Sequence, residues 1–173
     1  MSEQNYPTVD ELCIQLLTDK HLYENAERLI KLCSELKIKT KLAARNSYTF
    51  TYKNKSVFNF LLRSTPSYKG FEKADHSNSL HVSLSIGYKN TNPEKFLSSL
   101  PDDMQIEYLS SPKKHCGCSR AENCFVEYEK NNKKYPLCTM GFGYSRLNPT
   151  LEQFDLIERF IRLRVKYIDE HKT

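Results

Sequence analysis

No stretch of the 173-residue chain is apolar for long enough to cross a bilayer. The longest strongly apolar run lies near Phe58–Leu62, against the roughly 20 residues a spanning helix requires. A secretory leader is not expected either. The chain opens Met1-Ser2-Glu3-Gln4-Asn5, with an acid where a basic start is needed and no apolar segment behind it. Glycine and proline are scarce, at five and seven residues, which excludes collagen-like and low-complexity classes. No period of solenoid length repeats. The familiar catalytic signatures are missing: there is no G-x-S-x-G, no phosphate-binding glycine loop and no H-E-x-x-H. These absences predict a cytoplasmic protein with no membrane partner. They leave enzymatic activity uncertain, with the balance against it.

Packing material, by contrast, is plentiful. Eleven tyrosines and nine phenylalanines sit in a chain that is 39% hydrophobic, which a disordered segment does not carry. The length predicts one domain over residues 1–173. Folding at this size removes roughly 70% of the unfolded surface, so a core forms without disulfides. The formal charge is +5, mild enough to permit weak attraction to anions without requiring it.

The pattern along the chain changes period repeatedly. Thr8 and Glu11 have capping-box spacing, and Val9, Leu12, Cys13, Leu16 and Leu17 mark one helical face. A second helix runs from Asp19 to Leu36, with Leu22, Ala26, Leu29, Ile30, Cys33 and Leu36 facing inward. Tyr48, Phe50 and Tyr52 then alternate with threonines, as a strand does. Lys53-Asn54-Lys55 makes a turn into an apolar strand from Val57 to Arg63. After a polar stretch over 64–79, Leu80, Val82, Leu84, Ile86 and Tyr88 alternate with polar residues. Asn92-Pro93 opens a helix, and Leu100-Pro101 re-aims it into a short helix from Asp102 to Leu109. Phe125–Tyr128 and Lys134–Cys138 flank Asn131-Asn132 as a hairpin, and Met140, Phe142 and Tyr144 suggest a last strand. Asn148-Pro149 caps a terminal helix with Leu151, Phe154, Ile157, Phe160, Ile161, Val165 and Ile168 inward. Strands in the middle with helices before and after predict an α+β fold: a central, mostly antiparallel sheet, N-terminal helices, a cysteine-rich loop and hairpin, and a long C-terminal helix.

Six cysteines in a cytosolic chain are not read as a disulfide framework. Cys13 and Cys33 fall in helical apolar stripes and read as small core residues. Cys116, Cys118, Cys124 and Cys138 crowd into 23 residues. Four thiolates suit a closed tetrahedral zinc site. Gly117 lets the backbone bend between the first two. The hairpin brings the ends bearing Cys124 and Cys138 together. Lys113, Lys114, Arg120, Lys133 and Lys134 offset the negative charge of a zinc tetrathiolate. Residues 110–140 are therefore expected to form a metal-binding loop and hairpin. His115 is a fifth candidate ligand, iron accepts the same donors, and basic neighbours also suit redox-active thiols.

Two further signals are weaker. Seven basic residues (Lys31, Lys37, Lys39, Lys41, Arg45, Lys53 and Lys55) stand against one acid, Glu35, with Tyr48, Phe50 and Tyr52 interleaved. Single-stranded nucleic acid is bound by such mixtures, but the same pattern describes a solvated lysine face over inward-packed rings, which is the favoured reading. His81 shares the polar face of its strand with Ser83 and Ser85, and an enzyme would line its pocket with residues such as His81, Ser83 and Tyr88.

The C-terminal elements His115-Cys116, Cys118, Cys124, the hairpin through Asn131, Cys138, Asn148-Pro149 and the helix to Glu170 form an ordered set. Together with Leu100-Pro101-Asp102-Asp103 they resemble a group of small, uncharacterised, cysteine-containing bacterial proteins from low-GC Gram-positive species. That group often has C-x2-C where this chain has C-x-C. The resemblance implies a metal-bound or cysteine-tethered segment and no particular reaction. The expectation is a non-enzymatic binding or regulatory domain with a structural zinc, whose partner is a small molecule or a protein. An enzyme with a pocket on the sheet and a weak nucleic-acid binder using residues 31–55 are the alternatives.

Overall fold

The computed structural model of the chain describes residues 8–44, 46–63, 79–85, 93–110, 125–138 and 142–171. Helices α1 (Val9–Leu16) and α2 (Lys20–Glu35) come first. The capping box at Thr8 is formed in full: Glu11 N–H donates to Thr8 Oγ1, and Thr8 N–H donates back to the Glu11 carboxylate at 2.7 Å. Asp19 caps α2 by accepting from the N–H groups of His21 and Leu22.

Four strands follow as a meander: β1 (Lys39–Ala44), β2 (Ser47–Tyr52), β3 (Lys55–Arg63) and β4 (Ser79–Ser85). After α3 (Pro93–Ser98) and α4 (Asp102–Ser110), β5 (Phe125–Lys130) and β6 (Lys133–Cys138) form a separate hairpin. β7 (Phe142–Leu147) returns to pair with β4, and α5 (Leu151–Glu170) closes the described chain. The five-stranded sheet is antiparallel throughout, in the order β1-β2-β3-β4-β7. This is the α+β architecture expected from the sequence.

Two of the tight turns, β2–β3 and β5–β6, are built the same way. Lys53-Asn54 and Asn131-Asn132 all have positive φ, between 46° and 62°. Two-residue hairpins need that backbone because it matches the right-handed strand twist. Asparagine tolerates it. Lys53 is held there by an ion pair from its Nζ to Asp169 of α5, and its ammonium also lies 5.2 Å from the centre of the Tyr52 ring.

Alternation decides the two sheet faces. Tyr48, Phe50, Phe58, Phe60, Leu62, Leu80, Val82, Leu84 and Tyr144 are buried on one face. Phe50 stacks on Phe58 at 4.1 Å between ring centres, and Phe60 meets both edge-on. Rings of α3, α4 and α5 continue this core, with Phe96 edge-on to Phe160 and Tyr108 stacked between Phe160 and Tyr144. Arg164 of α5 is buried here too, its guanidinium 4.9 Å from the centre of Phe96. Desolvation pushes its pKa down to about 10, so it is still a cation at neutral pH.

Three sequence expectations change. Leu151, placed in the inward stripe of α5, is 60% exposed; it occupies the first turn, ahead of the packed stripe. Asn148-Pro149 does not cap α5. Thr150 does, by accepting from Gln153 N–H in a second capping box. Asn148 (φ 45°) instead clamps β4: its N–H donates to the Leu80 carbonyl at 2.7 Å, and Leu80 N–H donates to its Oδ1 at 2.9 Å. Strand β1 was not expected at all, because its Lys-Thr-Lys-Leu-Ala-Ala sequence carries no strand signature of its own. The continuation of the β4 alternation through Ile86 and Tyr88 lies outside the described residues.

Candidate functional site

The β5–β6 hairpin is where the predicted metal-binding segment meets described structure. Its register sets Cys138 opposite Phe125, the residue that follows Cys124 in the chain. Cys116, Cys118 and Cys124 themselves lie outside the described residues, as does His115. Among the described residues no group of three or more His, Cys, Asp or Glu is placed to hold a metal ion.

The hairpin is fastened to the helices by side chains of its own. Leu137 is fully buried. The Tyr128 hydroxyl donates to Gln105 Oε1 at 3.0 Å, and Gln105, buried in α4, uses its Nε2 to bond the Leu100 carbonyl at 2.7 Å. Lys130 Nζ reaches Asp102 Oδ1 at 2.6 Å. These contacts tie the strand body and turn end of the hairpin to α4, and leave Cys138 at the open end.

The second candidate is the polar face of the sheet. Cross-strand register aligns Lys41, Thr49, Asn59, Ser83 and Ser145 in one row across all five strands. His81 is only 7% exposed, and its Nε2 shares a hydrogen bond with the Ser145 hydroxyl of β7. Ser85 accepts from Ser56 Oγ at 3.1 Å and from Asn59 Nδ2 at 3.4 Å. Sequence reading found His81 and Ser83 but missed Ser145. The signal was the alternation Phe142, Tyr144, which puts Ser145 on the opposite face; the β4–β7 pairing that brings it to His81 is a long-range fact. Tyr88 lies outside the described residues.

On the other face, Glu107 of α4 gathers Arg146 as an ion pair and the Tyr144 hydroxyl at 3.4 Å. Burial raises the pKa of Tyr144 well above the ordinary phenol range; Glu107 adds to this and Arg146 opposes it. This cluster joins α4 to β7.

The basic region between Lys31 and Lys55 divides. Lys31 pairs with Glu27 at 3.4 Å and Lys53 with Asp169. Lys39 and Lys41 project from β1 and are exposed, while Arg45 lies outside the described residues. Tyr48 and Phe50 are 3% and 0% exposed, and the Tyr52 hydroxyl donates to Asp169 at 3.1 Å. The rings therefore pack inward and offer no stacking surface beside the lysines. No helix among the described residues is long and apolar enough to cross a membrane.

Comparison with protein-family models, curated proteins and solved structures returns no match for this chain.

Proposed function

We propose that the chain is a non-enzymatic binding or regulatory domain whose cysteine-rich segment takes up a structural zinc through Cys116, Cys118, Cys124 and Cys138. The sheet supplies the surface for a protein or small-molecule partner. The reading is supported chiefly by the β5–β6 register, which sets Cys138 across from the residue next to Cys124. The metal would hold the open end of a hairpin whose body is already fastened to α4. Zinc supplies stability there and needs no open coordination position. Elemental analysis of untagged protein purified without chelator tests this. About one zinc per chain is expected; less than half an equivalent in fully reduced protein rejects it.

One observation favours a second reading. The Ser145 hydroxyl and His81 Nε2 are already within hydrogen-bond reach, as a serine nucleophile and its base must be. In that reading Ser145 passes its proton to His81 as its oxygen bonds the acyl carbon of an ester or amide; the bond to the alcohol or amine breaks, His81 gives that group the proton as it departs, and water then hydrolyses the acyl-enzyme. Covalent labelling of Ser145 by a fluorophosphonate probe, lost in His81→Ala, would favour the enzyme. An unlabelled Ser145 dismisses it.

A further inference from the structure

We propose that the outer edge of β1 is a docking site for an acidic peptide segment, which binds by adding a sixth strand. This deepens the reading of the chain as a binding domain, on which it rests, by naming the chemistry of the partner. β1 stands at the end of the sheet and is bonded to β2 alone among the described strands. The other end strand, β7, is approached by β6 of the hairpin. An end strand presents a row of backbone donors and acceptors on its outer side, ready to template another strand.

The side chains of β1 say which strand would fit. Lys39 pairs with Thr51 and Lys41 with Thr49, so both lysines stand on the polar face of the sheet. Two residues along a strand separate them by about 6.8 Å, the spacing of alternate side chains on a partner strand. Thr40 stands between them on the opposite face and is exposed, while Ile38, just before the strand, is buried and Leu42 packs partly against the core. Acids at alternate positions of the incoming strand would meet the lysines, and apolar residues between them would sit beside Leu42. No acidic residue occurs from Leu36 to Lys55. The flanking Lys31 and Lys53 are engaged by Glu27 and Asp169; among the described residues Lys39 and Lys41 join no ion pair.

Edge lysines also discourage sheets from joining edge to edge. Here the two effects agree. A second copy would bring its own Lys39 and Lys41 and be repelled, whereas an acidic strand would be attracted. Single-stranded nucleic acid is the other polyanion to consider. Its binding sites set aromatic rings for base stacking beside a basic groove, and the rings nearest β1 are buried or held by Asp169. The register and the ring burial thus favour the peptide.

The test uses the full chain and a fluorescein-labelled peptide of about ten residues alternating glutamate and valine, with binding followed by anisotropy. The same peptide N-methylated at alternate residues keeps the charge and loses the backbone donors. Binding is expected for the parent peptide, together with slowed amide exchange at residues 39–43. N-methylation should abolish it. Lys39→Glu with Lys41→Glu should weaken it about tenfold or more, since each opposed charge pair carries a several-fold effect. Lys39→Gln with Lys41→Gln gives a milder loss and guards against a folding defect, which circular dichroism would reveal. Equal binding of the N-methylated peptide overturns the proposal, as does equally tight binding of an oligothymidylate or no binding of the parent peptide. Zinc content measured on the same samples separates the two readings. A zinc-loaded chain that ignores the peptide refutes only the edge, and a metal-free chain that binds it refutes only the metal site.

Discussion

The six cysteines should divide into two chemical populations. Cys13 and Cys33 are 1% and 2% exposed, in α1 and α2, and burial pushes each thiol up to about 12 from an ordinary value of 9.0. Only the thiolate attacks an alkylating agent. At pH 8 the shift alone lowers the thiolate fraction about a thousandfold relative to a free cysteine. Access then requires the helices to open, which slows the reaction further. The assay is brief exposure to iodoacetamide at pH 8, quenching, and peptide mass spectrometry. Two cysteines should stay unmodified in the native chain and react only in denaturant. Under the proposed function the other four are protected while metal is bound, and become labelled once a chelator is added. Labelling of Cys33 at the rate of a small free thiol would refute the burial argument. Labelling of the remaining four at full rate without chelator would refute the zinc site and leave that argument standing.

The same two thiols set an alkaline limit. Their folded pKa lies above the unfolded value, so their contribution is complete below about pH 9 and is lost as pH rises towards 12. At pH 10 the loss is about 1.4 kcal/mol per thiol, and thermal unfolding across pH 8–10.5 should show a fall that Cys13→Ala with Cys33→Ala flattens. Phe58→Ala removes the ring stacked on Phe50 and edge-on to Phe60 and should cost about 3–5 kcal/mol. With a slope of about 2 kcal/mol per molar urea, the midpoint drops by roughly 2 M; a shift under about 0.5 M would contradict the core described. Tyr128→Phe loses the bond to Gln105, should cost about 1 kcal/mol, and should speed amide exchange in β5 and β6 while leaving β2 and β3 unchanged.

The helices were legible because their signals are local. Thr8 with Glu11, and Asp19 ahead of α2, mark helix starts within four residues of sequence. The alternation of Tyr48, Phe50 and Tyr52 likewise declares its own buried face. What stayed hidden depends on pairing. β1 is a strand because β2 lies beside it, and nothing in its six residues favours that state. The meeting of His81 with Ser145 spans 64 positions and follows from β7 crossing back to β4. Asn148 has a helix cap's place before Pro149, but its Oδ1 accepts from Leu80 N–H, and Thr150 fills the capping role. The cysteine cluster was legible as chemistry, since four thiols in 23 residues need no fold to be noticed.

The order of the strands has a consequence for synthesis. The meander β1–β4 is complete at Ser85, yet α5 ends at Glu170, about 85 residues later. At ribosomal speeds of about 5–20 residues per second, that interval lasts roughly 4–17 s. Throughout it, the greasy side of the sheet has α1 packed on β3 but still lacks α5, the other helix that contacts β3. Yield in a cell should then hinge on who shelters that surface meanwhile, so slower translation of residues 86–170 should increase the insoluble fraction, and a holdase chaperone should reduce it.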